Sequence, residues 1–273
     1  MGSRAGTEPF AQDAGERHAG AGVLVLHGFT GSPKSMRPWA EYLAAAGMSV
    51  RLPRLPGHGT TVQDANRTTW DDWYETASSA FAELDRACAQ VFVAALSMGG
   101  ALALRLAEER PERVAGLILV NPAVHSESKL LPLLPVLRLA VPSVPGIGND
   151  IAMPGQDEGC YDRTPLRALH SLIAGWKQVK QDIARVNAPI LLFRSRTDHV
   201  VEASNSQWIL GNVASTDVEE RVLERSFHVA TLDFDAPTIF GGSVDFIRRL
   251  SSADRAPAVP AVPAVPAMPE REA

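Results

Sequence analysis

The stretch Ala95-Leu96-Ser97-Met98-Gly99 stands between two different patterns. Before it runs Val91-Phe92-Val93-Ala94-Ala95, short, apolar and of strand type. After it, Gly99 to Glu109 has helical spacing and stops before Pro111. A strand that passes into a helix over so few residues must turn sharply, and such a turn lifts the serine hydroxyl above the sheet. The residues two before and two after the serine must be small, because the turn brings them close to neighbouring backbone. The usual pattern is Gly-x-Ser-x-Gly; here Ala95 adds one methyl, the smallest departure, and we read it as tolerated. The competing reading is a buried structural serine.

Working outward, apolar runs alternate with helical patterns. Val23–Leu26, Ser49–Leu52, Val114–Val120, Pro189–Arg194 and Glu219–Leu223 read as further strands. Pro33–Ala46, Thr69–Cys88, residues 166–186, Ser204–Leu210 and Phe240–Leu250 read as helices, with Trp70, Trp73, Ala77 and Phe81 on one side of the second. Continuous apolar strands alternating with helices predict an α/β fold, a mostly parallel sheet covered on both faces. The segment from about 125 to 167, after the strand at 114–120, breaks the alternation. It is long and proline-rich, and Leu130, Leu131, Leu133, Leu134, Val136 and Leu137 make its first half apolar. Inserts of that length are commonly lids, so a small cap is expected there. The folded domain is expected over 22–252. Residues 1–21 are expected to be a flexible N-terminal segment, and 253–273, with its repeated Ala-Val-Pro, a disordered tail.

Composition narrows the partners. The chain has 273 residues, 45% hydrophobic and 21% charged, with a net charge of −5, which argues against nucleic-acid binding and against electrostatic docking to an anionic membrane. No transmembrane segment is expected, because Leu130–Val144 contains Arg138 and three prolines, with Pro145 just beyond. No apolar signal region precedes Gly22, and Cys88 and Cys160 read as free thiols, so a cytoplasmic location is expected. No His or Cys cluster has metal-ligand spacing, and neither a metal nor a cofactor is expected.

A serine hydroxyl is a weak nucleophile until a base takes its proton, and the base is oriented by a carboxylate. On the α/β-hydrolase fold the three follow the chain order serine, acid, histidine. Of seven histidines, His228 lies on a loop after the last predicted strand. His27 and His58 precede Ser97, and His125 and His170 belong in or beside the cap. Asp198 follows the strand Pro189–Arg194 at its carboxyl end, whereas Asp233 and Asp235 come after His228. The catalytic candidates are therefore Ser97, Asp198 and His228. Oxyanion donors are expected from the N–H of Met98 and from the glycine-rich loop His27-Gly28-Phe29-Thr30-Gly31, where Phe29 is the choice. Ordinary loop roles for Asp198 and His228 are the alternatives.

Together with Ser32-Pro33, Leu-Pro-Gly-His-Gly at 55–59 and Ala-Leu-Ser-Met-Gly-Gly at 95–100, these residues resemble the bacterial monoacylglycerol lipases and the thermostable-type carboxylesterases. The resemblance covers nearly all of residues 22–250. It implies Ser97, Asp198 and His228 as triad, Phe29 and Met98 as oxyanion donors, and a small cap over an acyl tunnel. It also implies Glu158, ahead of Tyr161 and Thr164-Pro165, as a substrate-binding residue for glycerol hydroxyls. The expected substrate is a small ester or a monoacylglycerol, cleaved through an acyl-serine intermediate. The rivals are a short-chain carboxylesterase, a peptidase, a C–C bond hydrolase or an acyltransferase on the same triad, and a non-catalytic ligand-binding protein on the same fold. An apolar cap could also touch a lipid surface or pair with a second copy as a homodimer.

Overall fold

The computed structural model describes residues 5–15 and 20–253. In chain order the elements are β1 (Phe10–Gln12), β2 (Ala21–Leu26), α1 (Arg37–Ala45), β3 (Ser49–Leu52), α2 (Val62–Ala65), α3 (Trp70–Ala87), β4 (Gln90–Leu96), α4 (Met98–Glu109) and β5 (Val114–Val120). Then come α5 (Leu134–Ala140), β6 (Ser143–Pro145), β7 (Arg163–Pro165), α6 (Leu166–Asp182), β8 (Ile190–Ser195), α7 (Ser204–Asn212), β9 (Val218–Leu223) and α8 (Ala236–Ala253). Seven strands form one sheet in the order β1-β3-β2-β4-β5-β8-β9. Only β1 runs antiparallel to its neighbour.

Alternate residues of the central strands feed two cores. Val23, Val25, Phe92, Ala94, Ile118, Val120, Leu191 and Phe193 share a core with Trp39 and Leu43 of α1 and with Phe246 and Ile247 of α8. Leu24, Leu26, Val93, Ala95, Leu117, Leu119 and Leu192 share the other with Trp73 and Phe81 of α3, Leu102 and Leu106 of α4, and Trp176 of α6. Helix starts follow local chemistry. Thr69 caps α3 in a reciprocal capping box with Asp72. The helix expected at 33–46 begins instead as a 3-10 turn at Pro33–Ser35, capped by Ser32, before α1 proper.

The N-terminal expectation is corrected in part. Residues 10–12 are not a loose leader but the antiparallel edge strand β1, in register with Val50–Leu52 of β3. Thr7 is buried and its hydroxyl donates to the Gly59 carbonyl, while the Ala14 N–H donates to Ser49 Oγ. Three residues are too few to show a period, so this strand could be found only by pairing it with an open edge. The tail at 254–273 and His18 lie outside the described residues.

Between β5 and α6 the chain builds the cap: the short helix α5 with a proline in its first turn, the antiparallel pair β6–β7, and loops. Among the described residues no helix is long and apolar enough to cross a membrane.

The turn from β4 into α4 is tightly packed. Ser97 has φ 56° and ψ −120°, a left-handed conformation that a serine adopts only under constraint. A Cβ at Gly99 would lie 2.5 Å from the Leu26 carbonyl oxygen, and one at Gly100 would lie 2.7 Å from Pro122 Cβ. Helix α4 can therefore press against β2 and the β5 loop only with glycine at both places. Ala95 is fully buried in β4, paired with Leu26 and Leu119, so its methyl is packed in the core. Gly99→Ala is expected to destabilise the protein by about 1–3 kcal/mol, the usual range for overpacking. Urea unfolding measures this, and an unchanged midpoint would contradict the close-approach argument.

Candidate active site

The loops after β2, β4, β5, β8 and β9 all leave the same carboxyl edge of the sheet. They deliver His27–Gly31, Ser97, Asn121, Asp198 and His228 to one place, where parallel sheets gather ligand-facing groups. Ser97 and His228 are 8% and 7% exposed, and both line a cavity of about 370 Å³.

His228 Nδ1 lies 2.8 Å from Asp198 Oδ2. The other carboxylate oxygen, Asp198 Oδ1, accepts the N–H groups of Val200 and Val201, each at 2.8 Å. Burial works to raise the Asp198 carboxyl, but the bond and charge of His228 and the two backbone donors outweigh it and hold the group below its ordinary range. An ionised Asp198 is an acceptor, so Nδ1 carries the hydrogen and Nε2 is left as the basic nitrogen. Burial works to lower the His228 imidazole. Asp198 outweighs that, with Glu158 and Asp150 adding to it, and the imidazole titrates above its ordinary 6.5.

The loop after β2 is braced from behind. The Leu55 N–H donates to His27 Nε2 at 3.2 Å, so Nδ1–H of that ring donates to the Gly28 carbonyl at 2.9 Å. Burial, helped by neighbouring His58, pushes His27 down to about 3, and burial pushes His58 down to about 4. Both rings are therefore neutral struts. His58 packs with Phe29 and Trp73. A Cβ at Gly28 would lie 3.3 Å from Ser97 Cβ, so this loop runs directly against the serine. Phe29 and Met98 both line the cavity. As the first residue of α4, Met98 has an N–H outside the helical ladder.

Of the residues expected from sequence, Ser97, His228, Phe29, Met98 and Glu158 share this cavity, and Asp198 stands behind His228. Glu158 is 8% exposed, and its Oε1 accepts the Asn149 N–H at 2.8 Å. Tyr161 anchors the cap beneath it: its hydroxyl donates to the Gly57 carbonyl at 2.6 Å and accepts from the Thr60 N–H at 3.0 Å. The cavity wall includes apolar side chains, Leu169, Leu172, Trp176, Val200 and Val201, and polar ones, Ser126, Ser128, Asp150 and Thr164.

Three residues of the site were not singled out by sequence. Asn121, buried and at φ 44°, donates through Nδ2 to the His228 carbonyl at 2.8 Å and accepts the Ser195 N–H through Oδ1 at 2.8 Å. Its place at the end of a predicted strand was the available signal. Asp150 in the cap accepts the His228 N–H at 3.1 Å, and nothing in the aperiodic cap sequence marks it. Asp233 accepts the N–H groups of Ala152, Met153, Phe227 and Phe234. Chain order had set it aside as an acid, and its role is to fasten loops.

No group of three or more His, Cys, Asp or Glu suited to a metal ion occurs among the described residues. Chemically, the arrangement places a serine hydroxyl, an imidazole paired with a carboxylate and a helix-start N–H on one cavity. An imidazole in this setting is free to accept a proton only above 6.5. A kcat/KM profile is therefore expected to rise along an acid limb whose midpoint lies above that value. Asp198→Asn, which removes the counter-charge and the tautomer lock, is expected to lower kcat by about 10⁴-fold, as in a related triad. An acid limb below 6.5 in the parent protein would contradict this electrostatic account.

Similarity to known proteins points the same way. The family described as serine aminopeptidase, S33, matches residues 17–235. The thermostable monoacylglycerol lipase of Bacillus sp. (strain H-257) is 40% identical over 248 residues, covering 89% of this chain and 95% of that one. The carboxylesterase of Bacillus subtilis (strain 168) is 25% identical, covering 89% and 97%. A solved structure from work on two metagenome-derived lipolytic enzymes, LipS and LipT, superposes with a TM-score of 0.86 at 41% identity, covering 91% of this chain and all of that one. The sheet, the loops at its carboxyl edge and these matches together make the chain a member of the serine aminopeptidase S33 family of α/β-hydrolases.

Proposed function

We propose that the protein is a carboxylic ester hydrolase that works through an acyl-serine intermediate, with monoacylglycerols as its substrates. The observation that carries this reading is the Asp198–His228 pair and Ser97 on one cavity lined by both apolar and polar side chains. An acyl chain and a glycerol head need opposite surroundings, and this wall offers both.

In this mechanism Ser97 Oγ attacks the ester carbonyl while His228 Nε2 takes its proton. The carbonyl oxygen becomes an oxyanion and receives the N–H groups of Phe29 and Met98. His228 then gives its proton to the departing alkoxide, which leaves as the alcohol. Water, deprotonated by the same imidazole, attacks the acyl-serine; the bond from the acyl carbon to Ser97 Oγ breaks, His228 returns the proton to Oγ, and the carboxylic acid leaves. Asp198 keeps the imidazole in the useful tautomer and stabilises its cation. Glu158 accepts hydrogen bonds from the glycerol hydroxyls. The kinship with a monoacylglycerol lipase at 40% identity supports the lipid alcohol.

The cap residues Leu130, Leu133, Val136 and Leu139 are exposed. Such a surface is suited to contact with a lipid aggregate, and a second copy of the chain is the competing occupant. Cys88 and Cys160 form no disulfide with each other, which is in keeping with the expected cytoplasmic location.

Initial rates on a 1-monoacylglycerol, a triacylglycerol, a p-nitrophenyl ester and an aminoacyl p-nitroanilide separate the readings. Monoacylglycerol is expected to be preferred and the anilide to be inert. A simple ester turned over equally well would remove the lipid part, and a preference for the anilide would replace the esterase by a peptidase. The same assay below and above the lipid's critical micelle concentration reads the cap: a rate increase supports surface contact, and its absence favours pairing of two copies. Ser97→Ala should abolish fluorophosphonate labelling and cost about 10⁶-fold in kcat. A parent protein that fails to label would favour a non-catalytic binding role.

A further inference from the structure

The backbone of the residue that carries the base is gripped on both sides of its Cα. Its carbonyl, at His228, accepts from Asn121 Nδ2 at the end of β5. Its N–H donates to Asp150 Oδ2, which belongs to the cap. The next N–H, of Val229, donates to the Asp150 carbonyl at 3.0 Å. The sheet thus holds one end of His228 and the cap holds the other. A shift of the cap would turn the backbone at His228 and with it the imidazole.

Asp150 is also joined to the residue assigned to the alcohol. Its neighbour Asn149, at φ 58°, donates its N–H to Glu158 Oε1 and accepts the Glu158 N–H through Oδ1, each at 2.8 Å. One peptide bond therefore separates the clamp on Glu158 from the clamp on His228.

We propose that Asp150 is a positioning residue for His228, coupling occupancy of the alcohol site at Glu158 to the placement of the base. This rests on the ester-hydrolase reading above. Mere fastening of the cap does not account for Asp150, because Asp233 already does that with four backbone N–H groups from residues 152, 153, 227 and 234. Asp150 lines the cavity, and its carboxylate is 9% exposed. Burying a carboxylate there is costly unless every oxygen is engaged. Oδ1 is taken by His199 Nδ1 at 2.8 Å, and Oδ2 by the N–H groups of His199 and His228.

The charged groups facing His228 are Asp198 from the loop after β8, and Asp150 and Glu158 from the cap, with His199 facing Asp150. Asp150→Asn keeps the shape and removes one of those charges. The test is kcat, KM and the pH profile of the full-length protein, with thermal melting, on a p-nitrophenyl ester and on a 1-monoacylglycerol. Asp150→Asn is expected to lower kcat by about 10-fold or more, within the range for a misplaced catalytic group, and to move the acid limb to lower pH. KM for the p-nitrophenyl ester should stay close to the parent value. A lower Tm with an unmoved acid limb and unchanged kcat would overturn the proposal.

If Asp150→Asn does not fold, His199→Ala decides the matter, since that ring is half exposed and its loss leaves the chain's core intact. It removes the ring that meets Asp150 Oδ1 and leaves the two N–H groups on Oδ2, so the clamp on His228 should loosen and kcat should fall with little change in Tm; an unchanged kcat would overturn the proposal. A parent protein that neither turns over esters nor reacts with a fluorophosphonate sinks both readings. An active parent with an indifferent Asp150→Asn sinks only this one.

Discussion

Everything at the site is hung on the backbone of Ser97, held at φ 56° where a side chain costs about 1–3 kcal/mol. Its neighbours hold it there. The Ser97 N–H donates to the Val120 carbonyl at 3.0 Å, and the Ser97 carbonyl accepts the N–H groups of Gly100 and Ala123 at 2.9 and 3.1 Å. Gly99 allows α4 to touch the Leu26 carbonyl, which in turn brings the loop after β2 against the serine. The strain is thus offset by two buried cores and by three hydrogen bonds. It points a hydroxyl at the cavity and opens an N–H at the helix start in the same step.

The Asp198–His228 pair reaches this point from strands nearer one edge of the sheet. Asp198 and His228 follow β8 and β9, while Ser97 follows β4, with β5 between. Asn121 spans that gap, bonded to Ser195 at the end of β8 and to the His228 carbonyl. The cap closes the arrangement through Asp150, Asp233 and Tyr161. A single electrostatic consequence follows: three carboxylates surround one buried imidazole and keep it more basic than usual. The neutral rings of His27 and His58, driven well down by burial, add no opposing charge.

Strand and helix types were legible because each central strand is a run of apolar residues that must be covered on both sides, as at Val23–Leu26 and Val114–Val120. The candidate triad was legible because its members sit at the ends of such runs in a fixed order. Short elements escaped. β1 has three residues and α2 has four, too few to show a period. Asp150 escaped for a different reason: its importance lies in which backbone N–H it meets, which depends on how an aperiodic cap folds over a loop 78 residues later. Asp233 shows the same limit, since chain order excludes it as the acid but does not reveal the four N–H groups it collects.

In the mechanism proposed above, one strained turn presents both the attacking hydroxyl and an oxyanion donor to a base held by Asp198. A crystal structure of the protein after reaction with an alkyl phosphonate tests it most directly. Phosphorus is expected on Ser97 Oγ, with the phosphonyl oxygen about 2.7–3.1 Å from the N–H nitrogens of both Phe29 and Met98, and His228 Nε2 facing the site of the departed group. Phosphorus on another residue, or a phosphonyl oxygen turned away from those two donors, would contradict it.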